Sequence, residues 1–106
     1  MSTERNRGDP TQTILDCIDK GLDVFGASVK TVVYWGFEHD YGMEKRDVVT
    51  KPELFCNHMR DIFGQGSEIV ERRIGHELRK AFGLEDVDKY DLTLAIKMIR
   101  SEFSRW

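Results

Sequence analysis

The chain is short of the residues that announce chemistry. It has 106 residues with two cysteines and two prolines. Cys17 and Cys56 lack the dense spacing of a disulfide scaffold, which points to free thiols and a reducing compartment. No C-x-x-C or H-x-x-x-H pair is present, so a zinc site is not expected from Cys17, Cys56, His39, His58 and His76. Surplus positive charge is missing as well. Sixteen Lys and Arg stand against 19 Asp and Glu, a formal charge of −3, which disfavours non-specific binding to nucleic acid or an anionic membrane. No uncharged apolar run approaches the roughly 20 residues needed to cross a bilayer. The opening residues MSTERNRGDP are polar, with no apolar segment of the signal-peptide kind. A cytoplasmic protein without membrane contact is the expectation.

Phosphate loops and nucleophile elbows are lacking too: there is no P-loop, no strand-borne G-x-G-x-x-G and no G-x-S-x-G. The stretch FGQGSE could offer helix N-terminal amides to an anion, but its glycines suit a turn between two helices better. Glu38-His39-Asp40 resembles a catalytic set on paper. On a helix those three residues fan out by about 100° each, which predicts a solvated face. Cys17 falls on an apolar stripe, the expected place for a packed thiol. Catalytic, cofactor-binding and metal-binding residues are therefore all expected to be none.

What the chain does have is a repeated aromatic-glycine pair, at Phe25-Gly26, Tyr41-Gly42, Phe63-Gly64 and Phe82-Gly83. Each closes a segment with helical periodicity. Ile14, Cys17, Ile18, Leu22 and Phe25 form one stripe, opened by Asp9 as cap and Pro10 in the first turn. The segment 27–41 also alternates as a strand would, through Val29, Thr31, Val33, Trp35 and Phe37. A lone strand would leave its backbone unpaired, so the prediction is a helix with Val29, Val33, Gly36 and Phe37 facing inward. Being apolar on most sides, it is predicted to lie centrally in the bundle.

Thr50 and Glu53 predict a capping box for a helix bearing Leu54, Phe55, Met59, Ile62 and Phe63. After a short turn, Val70, Ile74, Leu78, Ala81 and Phe82 mark the next, with Glu68–Arg72 as a supporting pair. A last helix is predicted from Asp88 to about Phe103, with Leu92, Ala95, Ile96, Ile99 and Phe103 buried. MEKRDVV between the second and third helices has room for a single turn. The glycines are read as left-handed helix stops. Phe25, Phe63 and Phe82 are expected to share a core with Ile18, Ile62, Ile74 and Leu78. The fold class is all-α: a compact bundle of about five amphipathic helices over 9–106, behind a disordered tail at 1–8.

Two surfaces are candidates for function. Tyr34 and Trp35 fall off the inward face of the second helix, and both are residue types that anchor protein interfaces. Arg72, His76 and Arg79 line the outer side of the 67–82 helix and form the best cationic stripe the chain has.

The runs VVYWGFEHDYG, KPELF, IFGQGSEIVERRI and ELRKAFGL carry a family resemblance. Across about residues 12 to 84 the chain resembles a small archaeal family called the Nitrosopumilus output domain, fifth type. That pattern is V-Y before an acidic residue and Y-G, then P-E-x-F, I-F-G-x-G, and a helix opening on I-V-E. The resemblance implies a non-enzymatic output module in archaeal signalling or regulation, with no catalytic residues to assign. Protein contact or self-association is thus the leading expectation. A DNA-binding transcriptional regulator using Arg72, His76 and Arg79 is the alternative, and an uncharacterised enzyme comes third.

Overall fold

The computed structural model describes residues 9–84 and 91–103, and these residues form an all-α bundle. In chain order the helices are α1 (Thr11–Asp23), α2 (Ala27–Tyr41), α3 (Asp47–Thr50), α4 (Pro52–Phe63), α5 (Ser67–Phe82) and α6 (Leu92–Phe103). A 3-10 turn at Gly64–Gly66 joins α4 to α5. No strand occurs among the described residues, so the alternation in 27–41 is carried by a helix. The expected tail at 1–8 and the helix start at Asp88 lie outside the described residues.

α1 begins one position later than its sequence suggests: Pro10 is the N-cap instead of a first-turn residue, and Asp9 stands before it. The Asp9 carboxylate accepts the Thr11 amide at 3.0 Å, and hydrogen bonding by Thr11 holds that carboxyl below its ordinary pKa. Ile14, Cys17, Ile18 and Leu22 are all buried. Their stripe packs on α5, and this pair of helices has the most extensive contact in the bundle. The approach is close at Gly21, where an added Cβ would stand 2.6 Å from Ile74 Cγ1 and 3.0 Å from its Cα. A side chain at Gly21 would have to push the two helices apart.

The centre of the bundle is therefore α1 against α5. α2, expected there, lies to one side and touches α1 and α4. It buries only Val33, Gly36 and Phe37, so its outer apolar residues are left facing solvent. The bundle core draws on every helix, including Val48 and Val49 of the short α3. Those two valines give the MEKRDVV stretch a structural role as a plug.

The expected aromatic core shifts inward by a turn or more. Ile18, Ile74 and Leu78 are fully buried, but Ile62 is 37% exposed. Phe25, Phe63 and Phe82 are only half-buried against the core, and Ala81 is exposed. Phe37 and Phe55 take the central place, edge to face at 5.3 Å between ring centroids. A residue beside a terminating glycine sits where a helix leaves the bundle, and packing neighbours run out there.

The glycine punctuation has two forms. Gly42 and Gly83 cap α2 and α5 in the left-handed conformation. Gly26 and Gly64 do not, with φ 108°, ψ 151° and φ 58°, ψ −131°. Both have positive φ but are extended at ψ: Gly64 still caps α4, its amide donating to Arg60 O, whereas Gly26 is the N-cap of α2. α1 itself ends three residues before Gly26, at Asp23.

The predicted capping box does not form. Lys51 is the N-cap of α4 and Pro52 opens its first turn. Thr50 ends α3, with its hydroxyl donating to Asp47 O at 3.4 Å. Glu53 instead pairs with Lys97 of α6 at 2.6 Å. At α6 the cap is Asp91, whose carboxylate accepts the Leu94 amide at 2.8 Å.

Candidate interaction surface

α2 is fixed by its inner face. Val33 and Phe37 enter the core. Gly36 leaves room for the ring of His58 from α4: a Cβ there would meet His58 Cε1 at 2.6 Å and Nε2 at 2.9 Å. His58 is buried, and its Nε2 donates to the Val33 carbonyl at 2.8 Å. Because a carbonyl can only accept, the hydrogen resides on Nε2. Phe37 and Tyr41 close around the ring, with centroids at 5.9 and 5.4 Å.

The expected interface pair divides. Tyr34 is half-buried; its hydroxyl donates to Asp19 Oδ1 at 2.7 Å and its ring lies 6.4 Å from that of Phe55. Burial, then the bond to Asp19, pushes its pKa well above the ordinary tyrosine value. Tyr34 ties α2 to α1. Trp35 does the opposite and is 59% exposed, with its indole stacked on His39 at 4.4 Å and 11° between the planes.

One turn earlier, Val32 is 53% exposed. Beside it an apolar hollow of about 190 Å³ opens between Ser28, Val29, Val32, Ile62 and Phe63. On the other flank of α2 a groove of about 720 Å³ runs along α1 and the segment after Tyr41, with Tyr34, Trp35, Glu38 and Glu44 in its walls. The outer surface of α2 thus has a bare indole between an apolar hollow and a polar groove.

The cationic stripe on α5 is weaker than its sequence suggests. Arg72 and Arg79 are exposed and His76 is half-buried. The Glu68–Arg72 pair does not form among the described residues. Among the described residues, Glu77 of this helix is buried and takes Arg73 at 2.9 Å and Lys80 at 3.6 Å. Two neighbouring cations are thereby neutralised. Glu68 is exposed on the same helix. Glu71, half-buried, has one carboxylate oxygen with no hydrogen-bond partner. Desolvation raises its pKa, against the opposing pull of Arg60 and of a bond from the Leu92 amide.

Neither cysteine is poised for chemistry. Burial pushes the Cys17 thiol up to about 11 and the Cys56 thiol up to about 12. A thiol protonated at neutral pH is a poor nucleophile. Cys56 accepts the Thr93 hydroxyl at 3.2 Å, and Cys17 faces the Glu77 carbonyl at 3.5 Å. Among the described residues, no group of three or more His, Cys, Asp and Glu is placed to hold a metal ion. No described helix is long and apolar enough to cross a membrane.

Two features of this surface were hidden in the sequence. The Gly36–His58 niche depends on an approach between residues 22 apart, which no local pattern encodes. The groove depends on which charges pair across helices, although Glu38 beside Trp35 was visible as an acidic-aromatic neighbourhood. Searches of protein-family models, curated proteins and solved structures return no match to the chain.

Proposed function

We propose that this protein is a non-enzymatic helical regulatory module that acts through protein contact, with the outer surface of α2 as its docking face. The observation that carries this reading is Trp35, 59% exposed on a helix whose neighbouring residue Val32 is 53% exposed. A large indole kept in water on an ordered helix forgoes the stabilisation that burial would give. Tryptophan is also among the residues that most often anchor interfaces. The apolar hollow beside Val32 offers a partner side chain a place to enter. A role as output domain in archaeal-type signalling accords with this and rests on the sequence resemblance.

Transcriptional regulation through DNA is the second reading, favoured by the position of Arg72, His76 and Arg79 along one side of α5. The carboxylates of Glu68 and Glu71 flank that side and would meet the same phosphates.

Light-scattering mass across a range of protein concentration, beside a gel shift with salt titration, tests the two. The expected result is concentration-dependent association that Trp35→Ala weakens and that Arg72→Ala and Arg79→Ala leave in place. Tight, salt-sensitive binding to a defined duplex, abolished when both arginines are replaced, would overturn the contact reading.

A further inference from the structure

The groove along α1 and α2 has an uneven use of its charges. Lys45 reaches Asp19 at 3.0 Å, and its ammonium sits 4.8 Å above the centre of the Tyr34 ring. Lys30 turns to Asp23 at 2.8 Å. Both groove lysines are thus satisfied by aspartates of α1. Glu38 and Glu44, in the same walls, have no ion pair or side-chain hydrogen bond among the described residues. The charge left over in the groove is acidic, and it stands next to the exposed indole of Trp35.

A carboxylate pair beside an aromatic face suits one kind of guest: a group with an apolar stem and a cationic head. Lysine and arginine side chains have that form, laying their methylenes on apolar surface and presenting charge at the tip. A cation over an aromatic face gains further from the ring quadrupole. The protein already displays the chemistry once in this groove, where the Lys45 ammonium rests between the Tyr34 ring and the Asp19 carboxylate.

We propose that this groove is a binding site for a lysine or arginine side chain of a partner protein. The stem would lie against Trp35 and the charge on the carboxylates of Glu38 and Glu44. The inference rests on the reading of α2 as a docking face and gives that face a partner chemistry, a basic segment. A peptide is favoured over a free polyamine because the apolar surface around Val32 continues past the groove. Residues flanking the basic one could cover it, and a polyamine has none.

The test is an NMR titration of the whole isotopically labelled chain, following the Trp35 indole signal, identified by its loss in Trp35→Phe. The probes are the end-blocked tripeptides Ala-Arg-Ala and Ala-Lys-Ala, the uncharged Ala-norleucine-Ala, and spermidine. The basic tripeptides are expected to shift the Trp35 indole and the Glu38 and Glu44 amides saturably, and less so as salt is added. Replacing both carboxylates (Glu38→Gln with Glu44→Gln) should weaken binding by about five-fold, the scale of two exposed charge contacts. An unchanged melting curve for that double variant keeps the comparison valid. Norleucine binding as tight as arginine, or no loss in the double variant, would overturn the cation site. Spermidine binding as tightly as the tripeptides would overturn the peptide as its source. If the basic tripeptides move nothing while Trp35→Ala still disrupts association, the cation site falls and the docking face stands.

Discussion

The Nε2 of His58 donates to the carbonyl oxygen of Val33 at 2.8 Å, across a niche that exists because residue 36 is glycine. Glycine inside a helix ordinarily costs about 0.5–1 kcal/mol relative to alanine. Gly36→Ala should nevertheless destabilise, by about 1–2 kcal/mol, because overpacking a filled site costs more than the helix gains. His58 cannot simply swing aside, since Phe37 and Tyr41 enclose it. In a His58→Ala background the same substitution should turn stabilising. Urea midpoints of the two singles and the double measure this coupling, and additive effects would show that the ring yields freely.

Phe55→Ala should cost about 3–5 kcal/mol, the range for emptying a packed aromatic site. Phe82→Ala should cost less than half as much, because Phe82 is half-buried and has the Phe103 ring 5.1 Å away at the edge of the bundle. Equal losses in chemical denaturation would mean that the bundle end is packed as tightly as its centre.

The difference between those two phenylalanines marks how far the sequence could be read. Periodicity identified the helices and most of their buried stripes, because a 3.6-residue repeat is a local property. It could not rank the stripes by depth, which depends on which helices end up in the middle. α2 reads as apolar nearly all round and was expected to be central. Yet the close α1–α5 contact at Gly21 and Ile74 takes that position and leaves Trp35 outside. Capping failed for a related reason. Thr50 and Glu53 have the right spacing, but α3 holds Thr50 as its last residue and Lys97 draws Glu53 away.

Glu71 should make the protein more stable towards mild acid than its overall composition suggests. Desolvation raises its folded pKa above the unfolded value, so the folded state binds this proton more tightly. Stability from this group is highest below the unfolded carboxyl pKa and falls as pH rises through the folded one. Glu71→Gln, which keeps an oxygen to accept the Leu92 amide, should raise the urea midpoint at pH 7. The advantage should shrink towards pH 4. A lower midpoint at neutral pH would show that the attraction of Arg60 outweighs burial.

Both cysteines should resist a thiol reagent in the native state at pH 7.5. Their pKa values of about 11 and 12 leave little thiolate, and both side chains are buried. Labelling should follow the opening of the bundle, accelerating in proportion to the unfolded fraction as urea is added. Stoichiometric labelling within the mixing time in plain buffer would contradict the burial of one or both.

The contact between α1 and α5 ties Ile18 and Leu22 to a helix that begins at Ser67. During synthesis, α1 emerges long before its main partner, with an apolar stripe and nothing of that length to cover it. At about 5–20 residues per second, several seconds separate the two helices. For that interval α2 and α3 are its available neighbours, and a ribosome-associated chaperone would find an exposed apolar surface on α1.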